Sequence, residues 1–161
     1  MTRILKKALT NLFVLSLTLV ILTSCTKKDA MSKAPSVKDI DNKLKEEINL
    51  STMAIGDSEK LEKLYDINLE DLEEFLLYIP KSNIEANEIG IFKVKDSTEI
   101  DNIKEKIEKR IEEQADNFKD YLPEEYYLIE NSLLKIKGNY VLFAISEDVE
   151  QIEKIFYKSF K

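Results

Sequence analysis

The apolar residues of this chain change their spacing along the sequence, and this change limits the folds that the chain can form. Between residues 96 and 122 they recur every three or four positions, which is typical of a helix with one buried face. On either side lie pairs of short apolar runs that are typical of strands, at residues 75–79 and 88–95 before the helix and at 131–137 and 140–145 after it. The sequence therefore predicts a long helix between two strand pairs.

The long helix is predicted by its caps and its apolar stripe. Asp96 and Glu99 have the spacing of a capping box, and Pro123 is expected to end the helix. The stripe repeats every ~3.7 residues, more than the 3.5 of a left-handed coiled coil, so it predicts packing against a sheet and not against a partner helix. The charged residues between the stripe positions are interpreted as a solvent-exposed helix face, with i,i+4 pairs such as Lys109 and Glu113. The stripe consists of Ile100, Ile103, Ile107, Ile111, Ala115, Phe118 and Leu122.

Shorter helices are predicted at both ends of the domain. Ser36 is expected to cap a first helix whose apolar residues begin at Val37. A short helical turn is expected at residues 57–65, and Ser146 is expected to cap a last helix. These helices precede and follow the predicted strands along the sequence.

Two glycine positions carry information about the strands. Gly138 and Asn139 suit a two-residue hairpin, because Gly accepts a positive φ at the first position. Gly90, inside the second predicted strand, indicates a bulge or the close approach of a helix. The hairpin joins the last two strands directly.

The elements together predict an α+β fold in one domain, residues 36–161. Their order is α-β-β-α-β-β-α, and the expected sheet has four antiparallel strands covered by helices on one face. The first two strands are expected to be antiparallel neighbours, although the eight residues between them are too many for a tight hairpin.

The first 24 residues have the profile of a secretory signal peptide. Arg3, Lys6 and Lys7 form a basic start without acids, and residues 8–22 are apolar at all but four positions. A membrane-spanning helix needs about 20 apolar residues, so an uncleaved transmembrane anchor is the less favoured interpretation. The run ends in Leu-Thr-Ser-Cys at residues 22–25, which resembles the lipobox of bacterial lipoproteins.

This lipobox implies cleavage after Ser24 and a diacylglyceryl thioether on Cys25, which would hold the chain on the extracytoplasmic face of the cell membrane. A buried free thiol is the alternative, and the polar stretch 26–35 argues against it because it offers no core. Residues 25–35 are then the lipidated cysteine and a flexible tether. Removal of residues 1–24 leaves 21 basic residues against 31 acidic ones, a formal charge of −10. Such an acidic chain argues against nucleic acid as a partner.

The composition leaves few residues for catalysis or for binding a cofactor. With no His, one Cys and three Gly, the chain lacks the usual transition-metal ligands and a Gly-rich phosphate loop. Residues 66–71 space their oxygen donors as a calcium loop does, but Asp71 stands where such a loop needs Gly, so an acidic turn at a helix start is favoured. Ser58, Glu59 and Lys60 indicate an exposed helix start and not a nucleophile with its base. We therefore predict no catalytic, cofactor or metal site.

Four side chains beside predicted loops are candidates for a binding surface. Tyr126 and Tyr127 follow Pro123 at a predicted loop-to-strand junction, and Tyr78 and Asn83 flank the loop between the first two strands. The alternative for the tyrosines, with rings in the core and hydroxyls in water, is favoured.

Three stretches carry a resemblance to a known family. They are Glu-Ile-Gly-Ile-Phe-Lys-Val at residues 88–94, Tyr-Leu-Pro-Glu-Glu at 121–125 and Lys-Gly-Asn-Tyr-Val at 137–141. In this order the chain resembles, over residues 64–160, a domain-of-unknown-function family of small lipoproteins from Gram-positive anaerobes of the Clostridia. The resemblance implies the fold and the lipid anchor, and it supplies no activity and no catalytic or ligand-binding position.

These features predict a membrane-anchored extracytoplasmic lipoprotein whose domain is a non-catalytic binding or interaction module for a protein, a peptide or a small ligand. The alternative is a small hydrolase-type enzyme that works through carboxylates and Lys, which would need a concave site with a carboxyl group of raised pKa. A transporter substrate-binding lipoprotein is disfavoured, because it needs two lobes around a cleft and this chain has room for one.

Overall fold

Five antiparallel strands form one sheet within residues 34–161, the part of the chain that this computed structural model describes. Their order across the sheet is β1-β2-β3-β5-β4. The predicted signal peptide, Ser24, Cys25 and the predicted tether up to residue 33 lie outside the described residues. The strands are β1 Met53–Ile55, β2 Leu72–Pro80, β3 Glu88–Val94, β4 Leu133–Lys137 and β5 Tyr140–Ile145.

Five α-helices accompany the sheet in the described part of the chain. The first and last pack on one face, which we call face A, and the other three pack on the opposite face B. Short 3-10 turns at Leu69–Asp71 and Ser97–Glu99 precede β2 and the third helix. The helices are α1 Val37–Glu47, α2 Ser58–Tyr65, α3 Ile100–Phe118, α4 Pro123–Glu130 and α5 Val149–Lys158.

The fold is thus α+β with an antiparallel sheet, as the sequence predicts, but three details of the prediction are wrong. The order is α-β-α-β-β-α-α-β-β-α and not α-β-β-α-β-β-α, because β1, α2 and α4 are absent from the predicted order. The sheet has five strands and not four, because β1 has three residues and is too short to leave a periodic pattern. Helices cover both faces and not one. Every residue of β5 is buried, and a strand buried on both sides needs a layer of helices on each.

The long helix is shorter than its predicted range of 96–122. Asp96 accepts a hydrogen bond from the backbone N–H of Thr98 at 2.9 Å and caps the 3-10 turn, so the predicted capping box with Glu99 does not form. Pro123 occupies the first turn of α4, where its missing N–H costs nothing, and the predicted loop-to-strand junction is a helix. A proline after a helical pattern therefore began a new helix here.

The predicted caps and turns have mixed outcomes. Ser36 caps α1 as predicted, and the structure adds a reciprocal capping box with Asp39. The two-residue turn at Gly138 has a φ of 60°, as predicted. Ser146 lies before α5 and accepts from the N–H of Asp148 at 3.0 Å, but Asp148 is the residue at the cap position. Gly90 lies under the ring of Phe92, where a Cβ would come within 2.6 Å of Cζ, so a side chain and not a helix makes the close approach.

Candidate functional site

A charged residue, Glu88, is fully buried at the first position of β3. Tyr65 at the end of α2 donates its hydroxyl hydrogen to Oε1 of Glu88. Arg110 on α3 donates from Nε to Oε1 at 3.3 Å and from Nη2 to Oε2 at 3.0 Å. Gln114, one helical turn later, donates from Nε2 to Oε2 at 3.1 Å. We call these four residues the Glu88 cluster; it joins β3 to two helices of face B.

The surroundings of Glu88 explain its burial. Removing a carboxylate from water costs several kcal/mol, and this cost is offset only when an opposite charge and hydrogen-bond donors surround it. Burial would lower the pKa of Arg110, but the Glu88 carboxylate beside it raises that pKa, and the guanidinium stays charged. Burial, and then the Glu88 charge, raise the pKa of Tyr65, so its hydroxyl remains a donor. Among the described residues, no buried side-chain N or O atom lacks a partner.

Arg110 also lines a cavity of about 470 Å³ between α2, α3 and the end of β2, which we call the Arg110 cavity. Its basic side chains are Lys60, Lys81 and Arg110, and Glu85 is its one acidic side chain. The apolar and amide side chains of the wall are Leu64, Ile79, Pro80, Phe118, Asn83, Gln114 and Asn117. The cavity is therefore basic within an acidic chain.

A larger groove of about 800 Å³ lies between α4 and the start of α5, and we call it the α4–α5 groove. The ring of Tyr127, with 64% of the residue exposed, lies at this groove with Leu128 and Val149. Its charged side chains are all acidic, namely Glu124, Glu147 and Glu150. These acids lie near the N-termini of two helices, where negative charge is stabilised by the helix dipole.

The start of the domain is attached at one end of the sheet. The hydroxyl of Tyr140 donates to the carbonyl oxygen of Pro35 at 2.6 Å, and the N–H of Val37 donates to Oε2 of Glu74 at 2.8 Å. Lys93 completes this end through ion pairs with Glu73 and Glu74 at 2.8 and 3.0 Å. We call the end that carries Glu74, Lys93 and Tyr140 the proximal end of the sheet.

The opposite, distal end carries Pro80, Glu88 and Ile145. At about 3.4 Å per residue, the five steps from Tyr140 to Ile145 place the two ends about 17 Å apart. The Arg110 cavity is lined by the last residues of β2, and the α4–α5 groove includes Ser146 directly after β5. Both cavities therefore lie at the distal end.

The structure separates the candidate binding residues of the sequence. Tyr127 lines the α4–α5 groove and Asn83 lines the Arg110 cavity, while Tyr126 is half-buried on α4. Tyr78 is buried on face A, and its hydroxyl donates to Asp41 at 2.6 Å. The favoured interpretation, a ring in the core, holds for Tyr78 but not for Tyr127.

Other predicted positions have plain structural roles. Asn68 caps the 3-10 turn within the acidic stretch 66–71 by accepting from the N–H of Glu70 at 2.9 Å, and the stretch is a turn as predicted.

Over residues 34–161 no group of three potential metal-ligating side chains is found. Within the same residues, no helix is both long and apolar enough to cross a bilayer.

The sequence interpretation missed the Glu88 cluster, although three signals pointed to it. Glu88 has the same strand parity as Gly90 and Phe92, which lie on face B, so its side chain had to face the core. Arg110 is the only Arg of the described residues in a chain that otherwise uses Lys, and Arg suits a two-pronged contact with a carboxylate. Gln114 follows it by four residues, on the same helix face.

Comparison with known proteins gives one result. Residues 46–146, more than half of the chain, match the family described as Domain of unknown function (DUF4358). The matched range contains all five strands, α2 to α4 and the whole Glu88 cluster. Neither the curated proteins nor the solved structures that were compared gave a match. The family match covers the elements that build the site, and the chain therefore belongs to the DUF4358 family.

Proposed function

We propose that this protein is a lipoprotein held on the extracytoplasmic face of the cell membrane by lipids on Cys25, and that its domain is a non-catalytic binding or interaction module. The proposal rests on the signal-like residues 1–24, on the lipobox cysteine and on the geometry of the domain. The observation that carries it is the position of the Arg110 cavity and the α4–α5 groove, at the end of the sheet opposite Pro35.

The predicted tether would join the domain at the proximal end of the sheet. Pro35 lies ten steps along the chain from Cys25, and a flexible chain of that length would span about 18 Å on average. Pro35 and Val37 are bonded to Tyr140 and Glu74 at the proximal end. An anchor on Cys25 would therefore connect to the domain at the end of the sheet opposite the Arg110 cavity and the α4–α5 groove.

Both distal cavities have the size of a ligand site. Volumes of about 470 and 800 Å³ lie within the range of 300–1,000 Å³ that is usual for such sites. Each combines apolar walls with a few charged or polar groups, which is the composition that gives a ligand both affinity and orientation. This supports a binding role for the distal end.

The titratable groups favour binding over carboxylate–Lys hydrolysis. A general base needs a free oxygen within hydrogen-bond reach of the proton that it takes, and both oxygens of Glu88 already accept from Tyr65, Arg110 and Gln114. A nucleophilic Lys needs a lowered pKa. The hydrogen bond from Lys93 to Glu73, with support from Glu74, instead raises the pKa of Lys93 and keeps it cationic.

The anchor is tested by labelling cells with a palmitate analogue. Wild-type chain should take up the label and fractionate with membranes, and Cys25→Ser should do neither. Ser24→Ala is the matched control, because it keeps a small residue before the cleavage site and should be labelled normally. Equal labelling of wild type and Cys25→Ser would reject the lipoprotein assignment.

The binding role is tested by cross-linking on intact cells, with mass spectrometry of what is captured by the full chain. We expect a defined partner or bound ligand that Tyr127→Ser, in the α4–α5 groove, reduces. Tyr121→Ser is the control, because Tyr121 is 82% exposed and lies outside the groove lining. Turnover of a test ester or peptide by purified chain, abolished by a single carboxylate substitution, would instead establish the hydrolase alternative.

A further inference from the structure

The Arg110 cavity is basic in a domain whose other cavities are mostly acidic. Its lining carries three basic side chains and one acidic one, whereas the α4–α5 groove carries three acidic side chains and no basic one. On the other side of Arg110, a second cavity of about 90 Å³ is lined by Lys63, Lys106 and Lys109 as well. The acidic residues of that cavity are Asp66 and Glu113. Positive charge is therefore concentrated on both sides of one guanidinium.

The Glu88 cluster holds Arg110 in place without using all its donors. A guanidinium has five N–H groups, and the bonds to Glu88 use Nε and one N–H of Nη2. The N–H groups that Glu88 does not use belong to a side chain that lines both cavities and is 11% exposed. Because Glu88 fixes the guanidinium plane from behind, these N–H groups are oriented before any ligand arrives.

The other donors of the cavity are available for a ligand. Among residues 34–161, the side chains of Lys60, Asn83 and Asn117 have no hydrogen-bond partner. Lys81 uses one N–H for the carbonyl oxygen of Ser51 at 2.8 Å and keeps two. Leu64, Ile79 and Phe118 form apolar walls beside these groups. Low-dielectric walls strengthen the field of the cations at this site.

We propose that the Arg110 cavity binds the oxyanion group of a small organic anion, through Arg110, Lys60 and Lys81, with the organic part of the ligand against Leu64 and Phe118. This rests on the proposed role of the domain as a binding module and names the ligand class for one of its two distal cavities. Phosphate and carboxylate share the required chemistry of negatively charged terminal oxygens, which a guanidinium and ammonium groups bind with charge-assisted hydrogen bonds.

The test is calorimetric titration of the full chain, solubilised in a non-ionic detergent, with inorganic phosphate, phenyl phosphate and benzoate. We expect saturable binding that weakens with added salt. Phenyl phosphate should bind about tenfold more tightly than inorganic phosphate, because its ring covers apolar wall. The comparison of phenyl phosphate with benzoate shows whether the phosphate or the carboxylate group is preferred.

Matched charge reversals identify the site. Lys60→Glu should weaken phenyl phosphate binding about tenfold. Lys154→Glu changes the net charge equally but lies on α5, in an acidic cavity, and should leave the affinity within about twofold. Arg110 is left intact in both, because Glu88 depends on it. Equal weakening by the two variants, or no saturable binding of any probe, would overturn the site.

This outcome is separable from that of the proposed function. The titration needs neither lipid nor cell, so absence of anion binding while cross-linking still captures a partner would reject the anion site alone. Anion binding without palmitate labelling would support the site and reject the anchor.

Discussion

Faces A and B of the sheet bury similar numbers of apolar side chains, but the polar groups on the two faces are paired in different ways. On face A, the polar atoms of Tyr78 and Tyr140 reach the edge of the core, where their hydroxyls meet Asp41 and the carbonyl oxygen of Pro35. On face B, a complete charge pair, Glu88 with Arg110, lies beneath helices α2 and α3. Face A is a conventional apolar core, and face B is an apolar core built around an ion pair.

This difference predicts which side-chain substitutions the fold tolerates. A core without charges accepts substitutions that keep its volume, because no partner is left unsatisfied. A buried ion pair does not, since removing either member leaves the other charge without compensation. Arg110 of the Glu88 cluster also lines two cavities, one of which is the proposed anion site.

The largest expected effect comes from removing the cation of face B. Arg110→Met keeps much of the side-chain volume but leaves Glu88 buried without its counter-ion, and the free energy of unfolding should fall by about 3–5 kcal/mol. Urea denaturation followed by circular dichroism measures this. Lys109→Met is the control, because Lys109 is exposed and its ion pair with Glu113 is 3.9 Å long, and it should change stability by less than about 0.5 kcal/mol.

A double variant sharpens the same comparison. Glu88→Gln together with Arg110→Met removes both charges and keeps one oxygen that accepts from Tyr65. The new amide N–H group replaces the oxygen that faces Gln114, and the Gln114 amide accepts from it once its own oxygen and nitrogen exchange places. It should recover most of the stability that Arg110→Met loses, because an uncompensated buried charge is no longer present. A double variant that is as unstable as the single one would mean that shape, and not charge, governs this part of face B.

Tyr65, a buried tyrosine, allows an intermediate test on face B. Tyr65→Phe retains the ring, which packs edge-on against Phe92 at 5.7 Å, and removes only the hydroxyl that donates to charged Glu88. The expected loss is about 1.5–3 kcal/mol, as for hydrogen bonds to charged groups. Thermal and urea denaturation should agree on the direction.

The same change on face A is expected to cost less. Tyr140→Phe keeps the ring against Phe160 and removes a hydrogen bond to the neutral carbonyl of Pro35, which is worth about 0.5–1.5 kcal/mol. Hydrogen exchange at the first residues of α1 should increase at the same time. If Tyr140→Phe cost more than Tyr65→Phe, the distinction between the two faces would be wrong.

The smallest expected effect depends on pH and lies at the start of α1. Hydrogen bonds from the side chain and backbone of Ser36 lower the pKa of Asp39 below its ordinary value of 3.8. A carboxyl group with a lowered folded-state pKa stabilises the fold above its unfolded pKa and loses this contribution as the pH falls through the folded one. Asp39→Asn should therefore be less stable than wild type near neutral pH, and the gap should close in acid below about pH 3.8.

A control on the same helix isolates this effect. Glu46→Gln removes an exposed carboxylate away from the cap and should give a gap that does not follow the same profile. Urea midpoints of the three chains, measured from neutral pH down into acid, provide the comparison. A constant gap between Asp39→Asn and wild type at every pH would contradict the assigned capping interaction.

Local signals predicted many of the elements of this fold. The hairpin at Gly138 and Asn139, strand β5 and the capping box at Ser36 were predictable because each depends on neighbours in sequence. Strand β1 was not, since its three residues are stabilised by pairing with β2 and not by their own pattern. Helix α4 was missed because Pro123 ends one helical pattern and equally well begins another.

The candidate site was less predictable than the fold. Ile111 and Ala115 in the predicted stripe are only half-buried, while Gln114 is buried and Arg110 is largely covered. A rule that places apolar residues inside and charged residues outside assigns Arg110 to solvent. The rule fails here because Arg110 pairs with Glu88, which is buried on the sheet and lies 22 residues away in the chain.

The sequence by itself determined the long helix, the two strand pairs, the turn at Gly138, the cap at Ser36 and the membership of a family of unknown function, because these depend on residue type and short spacing. The proposed lipid anchor on Cys25 rests on the sequence alone. Only the tertiary structure decided that helices cover both faces, that Glu88 meets Arg110, and that Pro35 is held at the end of the sheet opposite the Arg110 cavity and the α4–α5 groove. Each of these depends on contacts between residues far apart in the chain, which the pattern of one sequence does not specify.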